Sequence, residues 1–325
     1  MPARGFGGHA LLVALIVFAL APVVLTALDQ AWMIGVLTKV VIYAMAASGL
    51  NLVLGYGNMT SFGHAAYLGI GAYVCAILAI HHEERAALFG LVASNEALLS
   101  WPAAVLTGGL AALAIGALCL RTRGAYFIMI TLAFAQMIYF LMTSLSAYGG
   151  DDGHSLWWGR NSLAGQDLNG RMPFYYVCLG LFALVALGLQ RLCASPFGRI
   201  LTATRHNEPR LAALGIAPYP FKLTAFVLSG CICALAGALL VNHTEYVSPS
   251  MLHWSRSGEL MIMVILGGLG TAVGPLLGAS ALILLEESLI GYTEHWQLIL
   301  GVLLLVLVLT SRGGLAGWLQ ARASA

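Results

Sequence analysis

The stretch RLCASPFGRILTATRHNEPRLAALGIAPYPFK, residues 191–222, is the most basic part of this chain. It carries five basic residues against a single acid, Glu208, and long apolar segments flank it on both sides. Charged residues make up only 9% of the 325 residues, whereas hydrophobic residues make up 60%. A soluble domain has about 25% charged residues, so this chain has too little charge to cover a surface that faces water. The composition therefore predicts an integral membrane protein in which residues 191–222 connect two spans.

The apolar segments predict an all-α membrane protein with about ten transmembrane helices. A spanning helix needs about 20 mostly apolar residues, and ten candidate segments follow one another, of which the eighth is short for a full crossing. The first segment is longer than the roughly 7–15 apolar residues of a signal peptide and lacks a clean cleavage site. It is therefore interpreted as a span. In a single domain of residues 1–325, the predicted spans are 9–28, 31–54, 60–80, 101–120, 124–145, 173–191, 222–242, 258–271, 275–291 and 295–311.

The basic residues orient these spans. If the amino terminus is inside, strict alternation puts ten basic residues in cytoplasmic segments and four in outer segments, which is the bias known as positive-inside. Acidic residues lie mainly on the other side, and Glu208 is the only one in an inner segment. This predicts a multi-pass protein with both termini and the loop 192–221 in the cytoplasm. The inner basic residues are Arg4, Arg121, Arg123, Arg191, Arg199, Arg205, Arg210, Lys222, Arg312 and Arg322.

Residues 50–73, LNLVLGYGNMTSFGHAAYLGIGAY, interrupt an apolar run with glycines and small polar residues. In lipid, irregular backbone survives only where it is buried in protein or lines an aqueous cavity, and transporters commonly place pathways at broken helices. Close helix packing through the glycines is an additional explanation. The stretch therefore predicts part of a translocation pathway. Together with one amide of the fifth span, the candidate pathway residues are Asn51, Asn58, Thr60, Ser61, Phe62, Gly63, His64 and Gln136.

The basic loop contains the signals of a short helix. Asn207 is a good N-cap, proline is tolerated in the first turn that follows, and Gly215 can adopt the left-handed conformation after the last turn. The helix between them has about two turns and is roughly 10 Å long. Leu211 and Leu214 are three residues apart, which predicts that they share a face. Such a helix is a compact surface for a partner protein, and the alternative is a basic loop that lies on anionic lipid.

Two outer loops, about 81–100 and 146–172, are long enough to present a surface. Adjacent tryptophans, Trp157 and Trp158, fit either an anchor at the membrane interface or a docking surface for a soluble partner. Lys39 is the one charge well inside a predicted span. An intramembrane charge is a functional hypothesis by default, but a lysine near a helix end usually extends to the interface, which is the interpretation favoured here.

The sequence contains no recognisable catalytic, metal-binding or nucleotide-binding motif. The sequence has no Walker A pattern, HExxH, nucleophile elbow or dinucleotide fingerprint, so no catalytic or metal-binding residue is expected. The chain is not expected to be an enzyme or to hydrolyse ATP alone.

Five ordered motifs resemble the permease family of branched-chain amino acid ABC importers, the M-type subunit, and cover most of residues 31–311. Urea and short-amide importers use closely similar permeases. The sequence departs from the family's pattern at Asn58-Met59, Ala125 and Gln136. The motifs are GYGNMTSFGHAAYLGIGAY (55–73), RTRGAYF with TLAF (121–134), GGDDG (149–153), the loop from Gly198-Arg199 to Ile216, and GGLGT with GP (267–275).

The resemblance implies the architecture of a type II ABC importer in the bacterial inner membrane, surrounded by lipid. The implied partners are a homologous second permease, two ATPase subunits that hold ATP and magnesium, and a periplasmic binding protein; no nucleic acid is implied. Residues 31–145 and 222–311 start from opposite sides, which predicts an inverted repeat. The implied ATPase contacts are Arg199, Arg205, His206, Asn207, Glu208, Leu211, Ala212 and Gly215. The implied docking residues for the binding protein are Asp151, Asp152 and Trp157.

The function that follows is import of branched-chain or related amino acids, with urea or short amides as the alternative cargo. A self-sufficient secondary transporter or channel is a different class of protein and predicts buried carboxylates that couple to ions. An intramembrane enzyme is a third class, for which the sequence offers no catalytic pair.

Overall fold

A computed structural model describes residues 6–85, 94–163, 165–291 and 313–323, with residues 295, 298, 299, 301, 302 and 305 between the last two ranges. The described residues include twelve α-helices. These are α1 (Phe6–Ala27), α2 (Met33–Asn51), α3 (His64–Glu83), α4 (Ala97–Cys119), α5 (Ala125–Ser144), α6 (Arg171–Ala194), α7 (Pro196–His206), α8 (Glu208–Ala213), α9 (Pro218–Thr244), α10 (Trp254–Gly267), α11 (Gly274–Ile290) and α12 (Gly314–Ala323).

Prolines explain where several helices begin. Pro196, Pro209, Pro218 and Pro275 lie in the first turn of α7, α8, α9 and α11. A missing backbone N–H costs nothing there, because the first N–H groups of a helix have no partner within it.

Seven helices of the described chain are long and apolar enough to cross a membrane: α1, α2 with the turn that follows it, α3, α4, α5, α6 and α9. The helices α10 and α11 are shorter, with 14 and 17 residues. Helices occupy nine of the ten stretches predicted as spans, and the tenth, 295–311, lies largely outside the described residues. The fold is thus a multi-pass helical bundle, while the count of ten spans and the inverted repeat stay predictions.

Helix α9 forms the centre of the bundle, where it packs along α2, α3 and α4. Glycines make this packing close. A Cβ atom on Gly237 would meet the Leu68 carbonyl oxygen, and one on Gly71 would meet the Ala234 carbonyl oxygen. Small residues at helix contacts let backbones approach where lipid gives no hydrophobic drive for association. The glycine content of the sequence therefore has a structural use in these seams.

The end of the bundle opposite the basic loop carries short strands that the sequence did not predict. Strand β1 (His154–Ser155) pairs antiparallel with β4 (Tyr246–Val247), and β2 (Ser162–Leu163) pairs with β3 (Gln166–Asp167). Arg160 holds this layer to the bundle because its Nε donates to the Asn242 carbonyl oxygen at 3.0 Å. The long outer loop is therefore an ordered cap attached to the end of α9.

The Lys39 side chain does more than extend toward the membrane interface, because it also forms an ion pair. Its Nζ lies 3.8 Å from the Glu286 carboxylate, so it pairs α2 with α11. Arg256 and Glu259 form a second pair, at 2.8 Å, on α10. Both pairs are partly exposed, and each charge is balanced by its neighbour.

Candidate translocation and coupling site

The helix break predicted in residues 50–73 is present. Helix α2 ends in one π-helical turn, Leu52–Tyr56, a geometry that is frequent at functional sites. The chain then reverses at Asn58, whose φ of 53° is in the left-handed region that asparagine tolerates. The Met59 N–H donates to the Val53 carbonyl oxygen at 3.0 Å, and α3 begins only at His64. The loop between α2 and α3 is therefore an ordered turn at the basic end of the bundle.

Asn51 ties this break to the connection between α10 and α11. Its Nδ2 donates to the Thr271 carbonyl oxygen, and its Oδ1 accepts from the Gly270 N–H, both at 2.9 Å. The side chain is 4% exposed. A buried amide with both ends satisfied fixes the two segments relative to each other.

The residues before α3 are held from two other helices. The Phe62 N–H donates to Thr131 Oγ1 of α5 at 3.3 Å, and Ser257 Oγ of α10 donates to the Phe62 carbonyl oxygen at 2.7 Å. His64 is fully buried, with its Nε2 2.8 Å from Ser229 Oγ of α9. Ser61 and Gly63 are buried as well. These contacts explain why polar residues of the break are needed inside an apolar bundle.

A cavity of about 930 Å³ lies at the basic end. Its walls come from the turn after α2, the connection from α4 to α5, and the segment from α7 to α9. Asn58 and Thr60 line it, whereas Asn51, Ser61, Gly63 and His64 are in the protein interior and do not. Residue type alone could not separate these two groups, because both contain polar side chains from one short stretch.

Gln136 lies apart from the break, on α5. It is half-buried, and its Nε2 has no hydrogen-bond partner among the described residues. Helix α5 also exposes large side chains along its length. This exposed face, called the α5 face below, consists of Tyr126, Met129, Met137, Phe140 and Leu141.

The basic loop folds into two helices rather than one. The sequence prediction missed α7, although Leu201 and Thr204, both buried, are spaced by one helical turn. Leu201 packs with Leu52 of the π-helical turn. One turn further on, Arg205 Nη1 donates to the Gly55 carbonyl oxygen at 2.7 Å. Helix α7 therefore contacts the broken segment directly through one apolar and one polar side chain.

Helix α8 has the predicted caps. Asn207 Oδ1 accepts from the Arg210 N–H at 3.0 Å, and Gly215 follows the helix with φ of 78°. The predicted leucine stripe is wrong, because Leu211 is 7% exposed and Leu214 is 71% exposed. The helix ends at Ala213, so Leu214 departs from its regular spacing.

Most of the predicted ATPase-contacting residues lie at the surface. Arg199, Asn207, Ala212 and Gly215 are exposed, and the His206 side chain lies outside the described residues. Glu208 is held within the chain instead. Its carboxylate accepts from Lys222 of α9 and lies 3.2 Å from an Arg123 guanidinium nitrogen. Glu208 therefore joins α8 to α9 and to the connection before α5.

The three predicted docking residues belong to the same loop, between α5 and α6. Asp151 and Asp152 are exposed, and Trp157 is 86% exposed between the buried Leu156 and the half-buried Trp158. The cap is anchored by Arg160, which stacks 4.5 Å over the Phe174 ring and pairs with Glu245 at 3.5 Å. Burial lowers the pKa of the Arg160 guanidinium, and Glu245 opposes that shift.

The helical bundle, the interrupted helix and the polar cavity define a multi-pass membrane permease. Residues 32–309 match the sequence model of the family described as branched-chain amino acid transport system / permease component. The chain belongs to this family.

Curated relatives agree with the family. The chain is 28% identical over 308 residues to the high-affinity branched-chain amino acid transport system permease protein LivM of Escherichia coli (strain K12), an alignment that covers 87% of this chain and 69% of the relative. The autoinducer 2 import system permease protein LsrC of Shigella flexneri is 27% identical over 244 residues (70% and 62%). The ribose import permease protein RbsC of Bacillus subtilis is 32% identical over 129 residues (36% and 39%). No solved structure matches.

Proposed function

We propose that this chain is the permease subunit of an ABC importer in the bacterial inner membrane, with both termini in the cytoplasm. It forms half of a translocation pathway for branched-chain or related amino acids, and partner ATPases drive it. The observation that carries this proposal is the direct contact of α7 with the broken helix, through Arg205 with Gly55 and Leu201 with Leu52. Among the relatives, the LivM proteins are named for branched-chain amino acid transport.

The coupling mechanism follows from that contact. Helix α8 and the residue after it present the exposed side chains of Ala212 and Leu214, and only Asn207 separates α8 from α7. When nucleotide binding closes the ATPases, α7 and α8 move together as one rigid body. The bonded atoms of Arg205 and Gly55 then transmit this displacement to the turn that forms one wall of the cavity.

A second permease subunit covers the α5 face. Methionines and aromatic rings dominate this face, whereas leucine and valine dominate the exposed face of α1. Methionine adapts to irregular surfaces, and aromatic and methionine side chains are enriched in protein interfaces. Gln136 on the same helix retains an unused donor. The pathway runs along α5 between the two subunits and opens into the cavity.

The periplasmic binding protein docks on the outer cap, where Trp157, Asp151 and Asp152 are exposed on an ordered scaffold. A secondary transporter is the less favoured class. The half-buried carboxylates of α10 and α11, Glu259 and Glu286, are each paired with a cation and do not offer a free site for a coupling ion.

Disulfide cross-linking tests the assignment of α8. Leu214→Cys places a thiol at an exposed position and Leu211→Cys places one at a buried position three residues away. In native membranes, oxidation is expected to join Leu214→Cys, but not Leu211→Cys, to an ATPase subunit that carries an introduced surface cysteine. Equal cross-linking of the two variants, or none by Leu214→Cys with a co-purifying ATPase, contradicts the proposal.

A further inference from the structure

Helix α12 packs against the connection between α10 and α11 at the basic end of the bundle. The contact is made by backbone, because a Cβ atom on Gly314 would lie 2.6 Å from the Gly268 nitrogen. Both glycines have φ in the left-handed region, 70° and 116°, which glycine adopts without strain. Ala316 is 5% exposed and Leu315 packs against the main core. Glycine thus brings α12 into backbone contact with the connection.

The same connection holds the broken segment after α2. Asn51 forms hydrogen bonds with Gly270 and Thr271. A Cβ atom on Gly55 would lie 2.5 Å from the Gly270 nitrogen, so these two backbones also touch. Within the connection, Thr271 Oγ1 donates to the Gly268 carbonyl oxygen at 2.8 Å. Helix α12 therefore contacts the short, internally bonded segment on which the break rests.

Helix α12 is apolar on all sides over its first six residues. Residues 314–319 read GLAGWL, and the two polar residues of the helix, Gln320 and Arg322, follow them. The Trp318 side chain is 53% exposed, although Ala316 is buried. A helix that is apolar all round belongs in a protein core or in lipid. The exposure of Trp318 excludes the core and leaves lipid as the surrounding medium.

The length of α12 places it at the boundary of the lipid. Ten residues form a helix about 15 Å long, half of the roughly 30 Å of a bilayer's hydrocarbon core, so α12 does not cross the membrane. Helices α7 and α8 of the same end carry two charged residues each, whereas α12 has only Arg322. Tryptophan is enriched where lipid meets water, because its ring is apolar and its N–H is polar.

We propose that α12 binds the lipid surface, with the Trp318 ring in the headgroup region of the membrane. Lipid covers the exposed side of the helix, and the glycine contact with Gly268 covers the other side. The membrane surface then holds the connection between α10 and α11 in place, and with it the hydrogen bonds of Asn51. This interaction depends neither on the cargo nor on an ATPase.

Fluorine NMR of the intact chain in lipid nanodiscs tests the location of Trp318. The seven tryptophans are replaced biosynthetically by 5-fluorotryptophan, and the signal missing from Trp318→Phe belongs to Trp318. A nitroxide on the lipid headgroup is expected to broaden this signal strongly, and an aqueous gadolinium chelate is expected to broaden it less. Trp101 is the internal control, assigned through Trp101→Phe. It is 6% exposed, so both probes should broaden its signal less than that of Trp318.

Two outcomes of this measurement overturn the proposal. Stronger broadening of Trp318 by the gadolinium chelate than by the headgroup nitroxide would place the ring in water. Broadening by both probes that is as weak as for Trp101 would show that protein covers the ring. The permease is measured without partner subunits, so this result and the cross-linking result at Leu214 are independent of each other.

Hydrogen exchange tests the consequence for the connection. Trp318→Ser removes the ring, whereas Trp318→Tyr keeps an aromatic side chain that suits the membrane interface. In nanodiscs, the amides of residues 267–271 are expected to exchange several-fold faster in Trp318→Ser and at an unchanged rate in Trp318→Tyr. Trp157→Ser, which removes an exposed tryptophan of the opposite end, is the matched control and should leave this exchange unchanged. Equal exchange in the serine and tyrosine variants of Trp318 would contradict support of the connection by a lipid-bound helix.

Discussion

Arg205 and Gly55 are 150 residues apart in the chain, yet Arg205 Nη1 donates to the Gly55 carbonyl oxygen at 2.7 Å. The first residue is in the last turn of α7 and the second is in the π-helical turn after α2. π-helical turns are frequent at functional sites, and the Arg205 guanidinium supplies a donor to a carbonyl oxygen of this one. This bond links α7 to the turn that forms one wall of the cavity.

Replacement of Arg205 by alanine is expected to uncouple ATP hydrolysis from uptake. A hydrogen bond to a charged group contributes about 1.5–3 kcal/mol, and its loss leaves Leu201 as the main contact between α7 and the break. Uptake per ATP hydrolysed, measured in proteoliposomes, is expected to fall several-fold, while binding of substrate by the binding protein is unchanged. Arg191→Ala is the control at an exposed position of the same end, and an equal loss there would contradict the role of Arg205.

The thermal stability of the protein is expected to depend on the two side-chain hydrogen bonds of Asn51. Asn51→Leu has neither the acceptor for the Gly270 N–H nor the donor for the Thr271 carbonyl oxygen. Each unsatisfied buried group costs about 1–3 kcal/mol, so the thermal stability of Asn51→Leu in detergent should be lower than that of the unaltered chain. An Asn51→Leu variant as stable as the unaltered chain would show that the clamp between α2 and the α10–α11 connection is dispensable.

The glycine seam between α3 and α9 predicts a contrast between two glycines. In Gly237→Ala the new Cβ meets the Leu68 carbonyl oxygen, whereas a Cβ at Gly180 of α6 has no atom within 4 Å. Overpacking costs about 1–3 kcal/mol or more, so Gly237→Ala should lower the melting temperature. Gly180→Ala should leave it unchanged or raise it slightly, because alanine is the better helix former. Equal melting temperatures of the two variants would contradict the close packing.

The two interpretations of Trp157 give opposite fluorescence results. If it docks the binding protein, its emission should be quenched by aqueous iodide and not by brominated lipid, and addition of the binding protein should protect it. Trp157→Ala should leave stability unchanged, since the side chain is exposed, but abolish stimulation of transport by the binding protein. Quenching by brominated lipid would identify it as an interfacial anchor instead.

The fold class and the helix break were predictable because they depend on local properties of the sequence. The apolar composition indicated that lipid surrounds the chain. The glycines and asparagine before His64 indicated a turn, and the capping residues Asn207 and Gly215 indicated the ends of α8. The pairings were not predictable, because they join distant segments: Arg205 with Gly55, Asn51 with Gly270, Lys39 with Glu286. For the same reason the sequence did not distinguish the buried His64 from Thr60, which lines the cavity, or the buried Leu211 from the exposed Leu214.

We propose that ATPases drive transport through this chain by way of α7 and α8. The most direct test of this proposal is uptake of radiolabelled leucine by proteoliposomes that contain the chain with its co-purified partners and the binding protein. Uptake is expected to require ATP and the ATPase subunits, and Arg205→Ala is expected to hydrolyse ATP with little uptake. Leucine accumulation by this chain alone, driven by an ion gradient without ATP, would contradict an ATP-driven permease.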